Sequence, residues 1–262
     1  MVDAEQIVAA SYAAQAAMNQ YDAEILAELA QLYRNAVANL TAELQQAADG
    51  LNRVALPQLV SLRAQAEAEL RRLVQLRDGL LTSGLQHAAE LGSGPYLGSL
   101  ERDVISRLNT QAVEFVRRFR AADGLQLSDR LWRVDRDAAR KVGNAIELAI
   151  IRGDDAYRAA QMGLQIPTGA LQAAQPASIG RAIGDALTGQ GSAAVNMQRL
   201  FRTELNRAHG MAYQAGAAQT EGCLGTKFLL SPRHPHHDIC DTHASADLYG
   251  LGKGVYPHGK NP

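Results

Sequence analysis

DAEQIVAASYAAQAAMNQYDAEILAELAQLYRNAVANLTAELQQAAD, residues 3–49, decides the fold class. Ile7, Ala10, Ala14, Met18, Tyr21, Ile25, Leu29, Leu32, Val37, Leu40 and Leu44 recur mostly at three- and four-residue steps. That spacing lines them along one stripe of an amphipathic helix. The segment reads as one long helix or two abutting ones, stopped at Asp49-Gly50. A second helix follows Pro57, with Leu59, Leu62, Ala66, Leu70, Leu73, Leu76 and Leu80 on one face. A short link between two such helices makes an antiparallel hairpin.

GSGPYLGS (92–99) interrupts the pattern and is the best candidate boundary. A third helix is expected over Leu100–Phe119, carrying Val104, Ile105, Leu108, Val113, Phe115 and Val116. In 127–164, Ser128 reads as an N-cap, Asp129 suits the first turn, and Trp132 sits on an apolar edge with Leu131. Ile151-Arg152-Gly153 reads as a helix end, with a new start at Asp154. A connector rich in Pro, Gly, Ala and Ser (165–180) precedes helices over 178–188 and 193–219, the latter capped by Ser192. After Gly225 the pattern changes: TKFLLSP (226–232) is β-like, and the rest reads as loop with one helical turn near 241–248. The expected fold is mainly α, with an extended, partner-binding helical hairpin over 1–91, a helical bundle over 92–219 and a small α+β or loop module over 220–262.

Composition agrees. The 262 residues are 47% hydrophobic, 20% charged and only 5% aromatic, and the abundant Ala, Leu, Gln, Arg and Glu favour helix. No apolar run reaches the length of a membrane span, and the first residues lack the basic and apolar regions of a signal peptide. Two cysteines 17 positions apart make no disulfide framework and suit a reducing compartment. A net charge of −1 excludes a strongly basic nucleic-acid binder, but residues 1–50 hold seven acids against one base, Arg34. The bland reading of such charge is a solvated helix face; the alternative is an acidic arm that docks on another subunit.

Chemistry-bearing residues concentrate at the end. Five of the seven histidines (His234, His236, His237, His243, His258) and Cys240 fall within the final 29 residues. Asp238-x-Cys240-x-x-His243 is half of a zinc knuckle, because one tight turn aims both side chains at a single ion. His258 is a candidate third ligand, and His237 or Asp238 a fourth. A hydrogen-bonded loop without metal explains the same residues. So does a thiol nucleophile, Cys240, with His243 or His237 as base and Asp238 or Asp241 orienting it. A metal-dependent nuclease built on His236, His237, Asp238 and Asp241 is a further reading. Upstream, Glu204 and Arg207 are spaced to pair on a helix, and Arg202 or Glu204 is expected to clamp the terminal loop. Walker A, GxGxxG, GxSxG and HExxH patterns do not occur.

The order of these residues resembles a known family. An Arg202-Thr203-Glu204 helix with Asn206 and Ala208, a Lys227-Phe228 strand, an Asp238-x-Cys240 turn and Pro257-His258 are similar to the minor head, or head morphogenesis, proteins of tailed bacteriophages, the group that includes the Mu F-like proteins. LSDRLWRV (127–134) and IRGDDAYRAA (151–160) extend the resemblance over roughly 125–262. Two departures stand out. Where the family's turn commonly reads Cys-x-x-Cys, this chain has His243, and its closing ligand pair has no counterpart before Pro262. The resemblance implies a non-enzymatic virion component at the portal vertex and capsid interior, present in the host cytoplasm during assembly. Its implied partners are the portal protein, the major capsid or scaffold protein and packaged DNA, with no membrane. A structural zinc on Cys240, His243, His258 and His237 is implied with it, and Arg202, Glu204, Asp238 and Trp132 are expected to hold structure. The alternative function is a metal-dependent nuclease or hydrolase.

Overall fold

The computed structural model describes residues 4–47, 56–161, 175–230 and 237–260. Helix α1 is Ala4–Gln46, α2 Leu56–Ser93, α3 Arg102–Arg118, α4 Leu127–Gln161, α5 Pro176–Thr188, α6 Ala193–Gln219 and α7 Ile239–Ser245. A 3-10 turn covers Gly94–Tyr96, and the strands β1 (Gly225–Lys227) and β2 (Val255–Pro257) complete the order. The fold is mainly α with a small C-terminal strand region. The hairpin link expected around Asp49-Gly50 and most of the 165–180 connector lie outside the described residues.

Two compact units are assembled from non-consecutive stretches: Met1–Gln20, Leu85–Val116 and Leu205–Pro262 form the terminal unit, while Tyr21–Gly84 and Arg117–Glu204 form the helical body. The interruption at 92–99 therefore falls inside one unit.

In the helical body, α1 buries Ile25, Leu29, Tyr33, Ala36, Leu40 and Leu44. This stripe follows the expected one except in the middle, where Tyr33 and Ala36 take the inward places and Leu32 and Val37 are half-buried. On α2, Leu59, Leu62, Ala66 and Leu73 are buried as expected, but Leu76 is 48% exposed. The inward row continues from Leu73 through Arg77 and Leu81, four residues per step, so a charged residue occupies a core position. Helix α4 runs unbroken through Gly153, correcting the expected stop there. A single Gly costs a helix only about 1 kcal/mol, too little to end one that packs along its length through Ala138, Val142, Ile146 and Ala149. The helix begins at Leu127, so Ser128, expected as its N-cap, lies inside it, while Asp129 sits in the first turn as expected and its carboxylate accepts the Gln126 amide at 3.0 Å. At α6, the Ser192 hydroxyl accepts from the Val195 amide at 3.5 Å.

In the terminal unit, Tyr96 is the centre of a small core with Ile105 and Ala217, bordered by Ile7, Leu100, Tyr213 and Cys223. The Tyr96 and Tyr213 rings are 5.5 Å apart, and the Tyr213 hydroxyl meets that of Ser11 at 3.2 Å. Gly216 makes this possible, since a Cβ there overlaps the Tyr96 ring. On α3, Ile105, Leu108, Val113 and Val116 are buried, whereas Phe115 is 40% exposed. Of the β-like run expected at 226–232, residues 231–232 lie outside the described residues; among the rest, strand is confined to Gly225–Lys227, which pairs antiparallel with β2, Thr226 opposite Tyr256. The ladder is prolonged by the Phe228 amide donating to the Gly254 carbonyl at 2.8 Å. Gly254 has φ +72° at this point, a conformation that any side chain would strain.

Candidate functional site

Two groups of polar side chains stand out among the described residues. The first lies in the helical body. Arg77 is 2% exposed and donates to both Asp135 oxygens, Nη1 to Oδ1 at 3.0 Å and Nη2 to Oδ2 at 2.9 Å. The same Nη2 lies 2.9 Å from Asp78 Oδ1, and Nη1 lies 3.5 Å from Met197 Sδ. Tyr33, 2% exposed, completes the surroundings, and burial pushes its hydroxyl up. Burial also pushes the Asp135 carboxyl up, against the pull of the Arg77 guanidinium. Helices α1, α2, α4 and α6 thus meet around one guanidinium.

A second buried pair follows along α4 and α6. Arg130 Nη1 is 2.8 Å from Oε1 of Glu204, whose side chain has no exposed surface. Arg202 Nε donates to Asp22 Oδ2 at 3.0 Å, and Gln198 Nε2 donates to the Leu26 carbonyl at 3.2 Å. Glu204 and Arg202, expected to clamp the terminal loop, have these partners on α4 and α1. Ions buried this way attract strongly but lose their hydration, so they fix which helices adjoin more than they stabilise.

Trp132, expected on an apolar edge, is 57% exposed. The Arg136 guanidinium lies 5.0 Å from its ring centroid.

The second group is the terminal cluster. Helix α7 starts with a capping box: the Asp238 carboxylate accepts the Cys240 amide at 2.6 Å, and the Asp241 carboxylate accepts the Asp238 amide at 2.8 Å. Hydrogen bonding to the Asp238 carboxylate pushes the Cys240 thiol up, with burial and Asp241 adding to it. An activated nucleophile needs the opposite, a neighbouring cation that lowers the thiol.

The four proposed zinc ligands have separate contacts. His237 Nδ1 is 3.7 Å from Asp241 Oδ2 and the side chain is 84% exposed. His243 sits edge-on to Phe228, centroids 6.1 Å apart, and its carbonyl accepts the Tyr256 hydroxyl at 3.0 Å. His258 Nε2 donates to the Cys223 carbonyl at 2.6 Å. Among the described residues, no three His, Cys, Asp or Glu side chains are gathered to hold a metal ion. His234 and His236 lie outside the described residues.

Arg77, Asp135 and Arg130 were missed by the sequence reading. The one available signal was position, since Arg77 falls four residues after Leu73 and four before Leu81. Comparison with known protein families, with curated proteins and with solved structures returns no match. No helix among the described residues is long and apolar enough to cross a membrane.

Proposed function

We propose that the chain is a non-enzymatic assembly component of a tailed-phage head, placed with the portal protein and the major capsid or scaffold protein inside the virion. What supports this reading is the work done by the residues whose order resembles the minor head proteins. Glu204 is a buried ion-pair partner, Lys227 and Pro257 lie in the paired strands, Asp238 caps α7, and His258 ties its strand end to Cys223. Each does architectural work, and such a series suits a scaffold better than a reaction centre. The long helices α1 and α2 add polar outer faces of the kind that lie along a partner surface.

The test is reconstruction of particles made with and without the chain. Density for it at the portal vertex or capsid interior, with malformed heads in its absence, is the expected result. Its absence from both places overturns the reading, as does a nucleic-acid hydrolysis that is lost on replacing His236 and His237 by Ala while the fold persists.

A further inference from the structure

One face of α4 is unlike the rest of the helical body. Leu127, Ala138, Val142 and Ile146 turn inward. On the opposite side Trp132, Arg133, Arg136, Arg140 and Lys141 are all exposed. Trp132 is the only tryptophan of the chain. Its ring is 57% exposed.

The cations around it are unequally engaged. Arg140 and Lys141 share Asp137, at 2.5 and 2.8 Å, and their hydrogen bonds hold its carboxyl below the usual range. Asp129, at the start of the same helix, accepts the Gln126 amide. Among the described residues no carboxylate pairs with Arg133, and Arg136 is engaged only with the indole. Between Trp132 and Asn144 the exposed surface is thus an aromatic plane with four cations, and Ala139 is its only other apolar member. The exposed Leu148 and Ile151 lie beyond this stretch, beginning roughly 6 Å past Asn144 at 1.5 Å per residue.

We propose that this face binds single-stranded nucleic acid, an unpaired base stacking on the open side of the Trp132 indole while Arg133, Arg136 and Arg140 meet the phosphates. A protein partner needs an apolar interface core, which this stretch lacks. A strand of nucleic acid needs an aromatic platform flanked by cations, which it has. The net charge of −1 describes the whole chain and not one face. The inference stands on α4 alone, so it and the head-assembly role can fail separately.

The lone tryptophan makes the test direct. The full chain is titrated with a short oligothymidylate at low salt while its tryptophan emission is read. Quenching is expected, with a Kd of roughly 10⁻⁴–10⁻⁶ M, and neutralising about three phosphates gives a slope of log K against log salt near −2. The R133E/R136E variant, with unchanged circular dichroism, is expected to bind at least about tenfold more weakly. Trp132→Ala, followed by anisotropy of a labelled oligonucleotide, is expected to lose about tenfold. An absence of quenching at low salt overturns the proposal. So does quenching that survives the double charge reversal, or an equal response to a polyglutamate peptide or to duplex DNA, which would mark an acidic protein or polyanions in general as the ligand.

Discussion

Arg77 in the helical body and Asp238 in the terminal unit both satisfy a polar group, on opposite terms. Arg77 is 2% exposed, and its bidentate partner Asp135 is 58 residues away. Asp238 is exposed and bonds an amide two residues on, within a helix, α7, that has no buried residue. The first arrangement exists only when α2 and α4 are packed side by side. The second is made by the local chain alone. Buried long-range pairs decide which elements are neighbours, whereas a cap decides only where one element begins.

The largest expected effect probes the first kind. Arg77→Met leaves the half-buried Asp135 without its counter-ion and opens the buried Arg77 site, and is expected to cost about 3 kcal/mol in urea unfolding. Arg77→Met together with Asp135→Leu is expected to recover most of that loss, because an apolar pair of similar volume avoids the desolvation. A single variant within about 1 kcal/mol of the parent would place this pair with ordinary surface bridges and remove the contrast with Asp238.

Glu204→Leu strands Arg130, which is 14% exposed, and about 3 kcal/mol is the expected loss. Glu204→Gln keeps an acceptor facing the guanidinium and should lose less. If the two variants lose equally, charge rather than hydrogen bonding holds this pair.

A smaller effect belongs to the cap. Asp238→Ala is expected to cost about 1 kcal/mol, confined to α7. It should appear as faster hydrogen exchange at the Cys240 and Asp241 amides, with the urea midpoint of the helical body unmoved. Asp238→Asn, which keeps an acceptor, should restore protection. A shift of the whole unfolding curve would mean that α7 supports more than its own turn.

The same contrast explains what could be read in advance. The stripe of α1 was legible because burial along a helix repeats at the period of the helix, and Met18, Ile25, Leu29, Leu40 and Leu44 obey it. The place of Arg77 was not, because its warrant is Asp135 on another helix. Strand β2 escaped notice for a related reason: Val255-Tyr256-Pro257 is extended only because Gly225–Lys227 lies opposite. The helix end expected at Gly153 overrated a local signal that packing overrides. In the terminal cluster, Cys-x-x-His spacing suggested a shared ion. That Cys240 lies beside Asp238 and His258 bonds the Cys223 carbonyl are pairings that spacing cannot encode.

His209 gives the smallest effect at neutral pH, and a conditional one. It is 8% exposed, its Nε2 has no hydrogen-bond partner among the described residues, and its backbone lies so close to Gly92 that a Cβ there has no room. Burial lowers its pKa from 6.5. Well above pH 6.5 the ring is neutral both folded and unfolded, so titration adds nothing to stability. As pH falls through 6.5 the unfolded chain takes up a proton that the folded chain resists, and stability is lost until the folded value is reached. Urea unfolding at about pH 7.5 and about pH 5 should therefore show a larger acid loss for the parent than for His209→Gln, which cannot titrate. Equal acid losses in the two would mean that the imidazole finds a hydrated place when charged. The core around α6 would then yield to a proton more easily than its burial implies.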